Sequence, residues 1–592
     1  MGMSVHVWEP VEIELAADIT VGNSYREIDV WVDLKGPGFS RRVYGFWDGG
    51  ERFVVRVVAT DPGRWSWRSG ANVRDIGLDG LTGAFEAASW TEDELNENPC
   101  RRGFLRPTAN GHGFEYADGT PMYYLADTWW AAPTFRYPWA EEGTPLPDWA
   151  ATSFQDLVAH RRARGFNGIA MLAAFPHWGD DGEPATIVLD DGTPVRQAWQ
   201  AGGSADESAE APAKRMHNEG GRPFEFPGRV PGYEQVVPDF DRLNPEYFRA
   251  MDRKVAYLNE QGMIPFIEVS RRDAGPVWKR FYQWPNSYAR FIHYVFSRYQ
   301  AYNVLLSPIH FDYAGYTLKS REYNEPANLV VDRYGTPPFG NLVGTNASPS
   351  SLSNFGGPAE ARWLSFHQIG NWRTHDNYWY LTEIHRARPA KPALNGEPYY
   401  PGFPDDDPPA PSETAARYCR SGLYGSLLSG GLAGYIYGAE GMWGGNIEPE
   451  STYTIWDAAA FQSGAQVAHV LRFLEVCDGR HAELVPEPEL LVPSQAGDPY
   501  GYDGWSYAAY LPGKQTVLLY FEAGTGSTVI RSLLPDTSYS LGWFDPRSGS
   551  WVEETGSIAT DQTGRADLPD RPSDQDWAAV LSLVPKSSSG SA

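Results

Sequence analysis

The sequence predicts an α/β protein: a (β/α)8 TIM barrel flanked by an N-terminal and a C-terminal β-sandwich. Three observations carry this. The N-terminal end alternates apolar and polar residues with period two, as half-buried strands do, and the C-terminal end reads as hairpins. The middle alternates short apolar runs with amphipathic helical stretches and yields eight strand candidates. At 592 residues the chain is too long for one core, and its 42% hydrophobic and 14% aromatic residues can fill several.

Residues 1–90 are the first expected unit. "EIDVWVDL" and "RFVVRVVAT" read as strands, with "WDGG" and "DPGRW" as turns. Short antiparallel strands of this kind stack as a sandwich. Residues 88–106 read as a linker.

Residues 107–478 are the expected barrel. "PMYYLADTWW" is its first strand. "SFQDLVAHRRARG" is a helix closed by Gly165 and followed by the second strand, "FNGIAMLAAF". Asn244 as N-cap, Pro245 at the first helical position and Gly262 past the end bracket a helix that enters the third strand, "MIPFIEVS". "NSYARFIHYVFSRYQ" leads into the fourth strand, "NVLLSPIHFD". "NLVGTNAS" and "RWLSFHQ" are the fifth and sixth candidates. Two more helices lead into the seventh, "KPALNGEP", and the eighth, "LAGYIYG". An acidic insertion rich in Gly and Ala, roughly residues 180–240, separates the second and third strands. It reads as a surface excursion or as a lid on the catalytic face. Residues 480–585 return to hairpins, "YAAYLPGKQTVLLYFEA" and "LGWFDPRSGSW", of a second sandwich.

A net charge of −26 argues against nucleic acid and anionic membranes, since phosphate binding needs Lys and Arg. A neutral substrate is easier to reconcile with this field, and a polyanionic one would need a local basic patch. Cys100, Cys419 and Cys477 match no zinc spacing, and their odd count matches no disulfide framework, so buried thiols are expected. The start "MGMSVHVWEPVEIEL" lacks a basic and an apolar leader region. No run of ~18 apolar residues is present. A cytoplasmic protein is expected, or a secreted or periplasmic one if a leader was removed. The sequence leaves the oligomeric state open.

In a barrel, polar residues at strand C-termini are the catalytic candidates. The first strand delivers Asp127, Trp129 and Trp130; the second, His177 and Trp178; the third, Glu268. The fourth delivers His310 and Asp312; the fifth, Asn346; the sixth, His367 and Gln368. The seventh delivers Glu397 with Tyr399, and the eighth Tyr437 with Trp443. Two acids facing each other across such a mouth are what glycoside hydrolysis requires. One is ionised to attack or stabilise the anomeric carbon, and the other hands a proton to the leaving oxygen. Glu397 and Asp312 lie on near-opposite strands and form the expected pair. The bland alternatives are a salt-bridged rim glutamate at 397 and a turn or helix-cap aspartate at 312. Glu268, inside its strand, is a third acid or a buried partner of Arg271 or Arg272. His177, His310 and His367 with Asp127 or Asp312 have the residue types of a zinc or manganese site. No HxH or HExxH spacing ties two of them to one element, so no metal is expected. No GxSxG elbow is present.

The same residues carry a resemblance. "DGTPMYYLADTWW", "RRARGFNGIAM", "LNPEYFRAMDRKVAYLNEQGM", "YNVLLSPIHFD", "RWLSFHQIGNWRTHDNYWY", "KPALNGEPYY" and "LLSGGLAGYIYGAEGMW" together resemble the apiosidase-like glycoside hydrolases, a (β/α)8 group related to clan A. Residues 5–87 resemble the β-sandwich that precedes such barrels. Residues 480–585, with "WFDPRSG", resemble the β-sandwich that follows them; its collagen-binding label is a name and not evidence of collagen binding. The resemblance implies a nucleophile in the "GEP", here Glu397, and an acid/base on the aspartate ending the fourth strand. The chain departs there from the family's Gly-Gly-Asp type sequence: it reads "SPIHFD", with one extra residue before Asp312. The family's His-Pro-rich fifth-strand segment is replaced by "GTNASPSS". Both departures line the sugar-binding end, so apiose specificity is not carried over; another furanoside or another plant or microbial glycan fits as well.

The expectation is therefore a retaining glycoside hydrolase that acts on an oligo- or polysaccharide and needs no cofactor, with Glu397 as nucleophile and Asp312 as acid/base. Asp127, His177, His310 and His367 are expected to bind sugar hydroxyls. Trp129, Trp130, Trp178, Tyr399, Tyr437 and Trp443 are expected to shape subsites, and Glu268, Asn346 and Gln368 to complete the substrate-binding set. The alternatives are a non-catalytic carbohydrate-binding protein on a degenerate barrel, or a polysaccharide lyase. A lyase would want a basic cluster to hold uronates and a Tyr or His base.

Overall fold

Alternation builds the N-terminal layers as expected. In the computed structural model, which describes residues 3–174, 186–188, 194–196, 217–229, 236–272, 274–312, 318–370, 378–403, 408–498, 501–553 and 556–585, the strand Val11–Ala16 buries every second residue. It pairs with Arg52–Val57 and, through it, Phe46–Trp47. A five-stranded sheet faces this one, in the order Met3–His6, Thr82–Ala88, Gly63–Ala71, Val30–Gly36 and Phe39–Tyr44. Ile13, Val32, Leu34, Val55 and Trp65 fill the space between the two sheets.

The middle of the chain holds a seven-stranded, wholly parallel sheet. Its spatial order is Leu305–Ser307, Ile264–Glu268, Gly168–Leu172, Tyr124–Thr128, Gly434–Tyr437, Ala393–Glu397 and His367–Gly370. These are the fourth, third, second, first, eighth, seventh and sixth candidates. Every residue in them is buried, as strands covered on both faces must be. The helices Phe154–Ala163, Pro245–Glu260 and Glu413–Leu428 start at Ser153, Asn244 and Ser412, whose side chains accept from orphan amides of the first turn.

Four expectations are corrected. The fifth candidate forms no strand; its backbone touches its neighbours singly. Leu306 N donates to Leu342 O, Gly344 N to Leu306 O, and Ser365 N to Val343 O. The ladder breaks because Asn346 N turns to a side chain, Glu268 Oε1, at 3.2 Å. The sixth strand begins only at His367, because Trp363 ahead of it is buried and donates to Asn324 Oδ1. Residues 88–106 are not a linker. A capping box at Thr91 opens the helix Glu92–Glu97, and Cys100 and Leu105 bury into the main core. A short helix, Ala274–Phe281, follows the third strand unannounced.

The 180–240 insertion lies largely outside the described residues. Its described parts are two antiparallel pairs, Thr186–Val188 with Pro194–Arg196 and Phe224–Arg229 with Val236–Leu243. Phe240 stacks on Trp278 at 3.7 Å, which anchors the second pair. The C-terminal region forms an eight-stranded and a three-stranded sheet. Both expected hairpins are there: Asp503–Tyr510 with Thr516–Phe521, and Ser538–Asp545 with Ser550–Trp551. Cys100, Cys419 and Cys477 are free and buried, as expected. Among the described residues no helix is long and apolar enough to cross a membrane.

Candidate active site

The seventh strand ends at Glu397, and Gly396 before it leaves room for Gln368 of the neighbouring strand. Glu397 Oε2 accepts from Asn346 Nδ2 at 2.8 Å, and the Tyr400 hydroxyl lies within its hydrogen-bonding reach. Burial pushes the Glu397 carboxyl above the usual carboxylate range. The Asn346 amide and the Arg271 and Arg272 charges pull against that.

Past the third and fourth strands the chain runs on as a pair. His310 N donates to Ser270 O and Arg272 N to His310 O, so residues 270–272 lie beside 310. This sets Arg271 and Arg272 against the aspartate two residues on. Arg271 Nη2 donates to Asp312 Oδ2 at 2.9 Å, and Arg272 forms a second ion pair with Asp312. The arginines were expected beside Glu268; they pair with Asp312 instead. His310 Nε2 lies 3.6 Å from Asp312 Oδ2. His310, Asp312 and Glu397 each bring one ligand atom to within 4.8 Å of the others.

Glu268 lies beneath this group, fully buried. It accepts from His310 Nδ1 and from Asn346 N. Burial holds its carboxyl well above the usual range, and the Glu397 charge adds to that. Trp130 meets His310 edge-on at 4.5 Å. Among the described residues the buried Gln368 amide has no hydrogen-bond partner.

Several expected contacts fall elsewhere. Asp127 faces no substrate space. It is fully buried and accepts from Arg161 Nε at 2.6 Å, Trp129 Nε1 at 2.8 Å and Thr128 N at 2.9 Å. Trp129 stacks on Tyr137 in the core. Tyr437 bonds Ser463 and packs against Phe166, away from the mouth. His367 is engaged by Ser351 Oγ at 2.9 Å, and burial lowers its imidazole to about 3, which keeps it neutral. Tyr399 packs on Tyr418 and Tyr502 at the barrel's junction with the C-terminal sheets. Trp443 stays partly exposed and donates to Glu440. His177 and Trp178 lie outside the described residues. Missed by the sequence reading was Tyr400, whose hydroxyl shares a 3.0 Å hydrogen bond with Thr128. Its signal was the glycine opposite, since Gly438 has space only for that ring.

A family model described as apiosidase-like, catalytic domain, matches residues 108–478. A second, a domain of unknown function (DUF5060), matches residues 4–72. No curated protein matches. Among solved structures, a presumed glycoside hydrolase of Bacteroides vulgatus is 15% identical with a TM-score of 0.63, over 98% of this chain and 100% of that one. A glycoside hydrolase family 5 protein from the same species is 15% identical with a TM-score of 0.55, over 82% of this chain and 94% of that one. At such identities the likeness is one of fold.

Proposed function

We propose, from the premise that this chain belongs to the apiosidase-like family of glycoside hydrolases, that it cleaves its glycosidic bond with retention of configuration. Glu397 is the nucleophile and Asp312 the acid/base. The observation that carries this is the spacing of the two acids, with carboxylate oxygens within 4.8 Å. Retaining enzymes hold their pair about 5–5.5 Å apart, and inverting ones roughly 6.5–9.5 Å to admit a water between. Asp312 gives its proton to the leaving oxygen as Glu397 forms the bond to the anomeric carbon. Asp312 then takes a proton from the water that releases the sugar. The Asn346 amide supports the attacking oxygen, and Arg271 and Arg272 hold Asp312 in place. Those two positive charges also sit where a metal ion would have to, so the donor set favours acid–base use over a metal. The barrel is closed in this reading: residues 342–347, bonded to Leu306 on one flank and Ser365 on the other, serve as the missing stave. The units are 1–90, 107–478 and 480–585, and the substrate is a furanoside or another plant or microbial glycan.

The test is a panel of pentofuranosyl and hexopyranosyl nitrophenyl glycosides and polysaccharides, with the first-formed anomer identified by NMR. Retention is expected; inversion overturns the double displacement. Glu397→Gln should lower turnover by at least about 1,000-fold with the thermal midpoint unchanged. Asp312→Asn should be slow on poor leaving groups, and azide should restore its rate on activated ones. Full turnover in either variant refutes that residue's role.

A further inference from the structure

We infer that Glu268 is the positioning residue that ties the two catalytic carboxylates into one unit, and that it does not itself donate the proton. This rests on the roles proposed for Glu397 and Asp312. Glu268 ends the third strand with both oxygens in use, and each opens an arm. Through Oε2 it takes His310 Nδ1, and His310 Nε2 then faces Asp312 Oδ2 at 3.6 Å. Through Oε1 it takes Asn346 N at 3.2 Å, and Asn346 Nδ2 then reaches Glu397 Oε2 at 2.8 Å. The hydrogen bond between Oε2 and His310 Nδ1 fixes the imidazole's orientation and, with it, which nitrogen faces Asp312. The edge of Trp130 packs on the same imidazole and limits its rotation. On the other arm, Asn346 Oδ1 fills the space that a Cβ at Gly370 would take, 2.5 Å away, which keeps the Nδ2 end toward Glu397. Glu268 is fully buried behind His310 and Asn346 and has no route to a glycosidic oxygen.

The arrangement explains a departure noted in the sequence. The His310 ahead of Asp312 and the Asn346 of "GTNASPSS" are the two residues that Glu268 holds. Each departure supplies one arm.

The groups around Glu268 decide how it acts. Glu397 repels it, and the hydroxyls of Tyr124, Tyr288, Tyr400 and Ser307 lie near it. Beyond His310 stand Asp312, Arg271 and Arg272. Burial and the Glu397 charge both disfavour a negative Glu268, so it acts on the two acids through its hydrogen bonds to His310 and Asn346.

The experiment uses the full chain and whichever nitrophenyl glycoside of the panel the wild type hydrolyses. Glu268→Gln keeps the shape and replaces the ionisable carboxyl with an amide. We expect kcat/KM to fall roughly 10- to 100-fold, as when a group orienting a functional residue is lost, for good and poor leaving groups alike. Both limbs of the pH profile should move, because an amide cannot hold His310 and Asn346 as the carboxyl does. An unmoved profile overturns the inference. So does a defect confined to poor leaving groups and rescued by azide, because Glu268 would then be the acid. If Glu268→Gln does not fold, the arms are tested singly. His310→Asn should move only the alkaline limb, which reports the acid, and Asn346→Ala only the acidic limb, which reports the nucleophile. Either limb staying in place overturns the inference. Glu397→Gln and Asp312→Asn are assayed alongside. If they keep turnover, the proposed roles fail; if they lose it while Glu268→Gln leaves the profile in place, only this inference fails.

Discussion

Asp127 lies in a strand of the parallel sheet and Asp312 just past another, yet the same residue type has opposite surroundings in the two places. Asp312 sits with two arginines and a histidine beside Glu397. Asp127 is sealed against Arg161, itself fully buried. Burial raises the Asp127 carboxyl, and the Arg161 charge opposes that. Asp127→Asn would leave a guanidinium buried without its counter-charge, which costs about 3–5 kcal/mol. We expect a lower thermal midpoint, with the KM of the folded enzyme unchanged. A raised KM at an unchanged midpoint would return Asp127 to the substrate site. Residue type and strand-end position marked Glu397, Asp312, His310 and Asn346, which the fold brings into one cluster. They were not enough to orient the aromatics. Past Glu397 the chain leaves its strand, alternation lapses, and Tyr400 rather than Tyr399 turns to the carboxylate.

At the scale of elements, legibility followed how local each signal is. The Asn244–Pro245 start of one helix, the alternating N-terminal strand Val30–Gly36 and the C-terminal hairpins are written in adjacent residues, and they fold as read. The fifth strand failed because its would-be ladder partner is a side chain 78 residues away, Glu268. The stretch 88–106 failed because its polar face hides Cys100 and Leu105, whose burial depends on the barrel. The start of the first strand shows a subtler case. Tyr124 projects into the barrel and donates to Ile264 O at 2.9 Å, lying over Gly168. A Cβ at Gly168 would come within 2.3 Å of that ring, so the glycine is the space the tyrosine fills. Gly168→Ala should therefore cost about 1–3 kcal/mol through overpacking. Because Gly168 begins its strand and Glu397 ends another, kcat/KM should stay within about threefold. Chemical denaturation and steady-state kinetics check this; an unchanged midpoint would mean that Tyr124 yields freely.

Across the whole molecule, buried ion pairs fasten the flanking sheets to the barrel. On one side Arg420 of the helix Glu413–Leu428 meets Asp576 at 2.8 Å, both fully buried, and Tyr424 stacks on Tyr520. On the other side Asp252 of the helix Pro245–Glu260 takes Arg56 of the N-terminal sheets at 2.6 Å and Arg298 at 2.7 Å. Arg298 also reaches Asp48 of those sheets at 2.9 Å. Burial works to raise the Asp252 carboxyl, but Arg298 and Arg56 outweigh it and hold the group well below the usual range. An acid with a depressed folded-state value stabilises the fold fully above its unfolded value, about 3.9 for aspartate, and loses that contribution as pH falls toward the folded one. The wild type should thus weaken progressively below about pH 4. Asp252→Asn should be less stable at pH 7 by about 3–5 kcal/mol, because two guanidiniums remain buried beside a neutral amide. The gap between the two proteins should narrow as the wild-type carboxyl takes up its proton in acid. Thermal midpoints of both proteins at pH 7, 5, 4 and 3, with near-ultraviolet circular dichroism as the probe, measure that gap. A gap that stays constant across the series would show that Asp252 acts through packing, and that the N-terminal sheets are held on the barrel by apolar contact instead of charge.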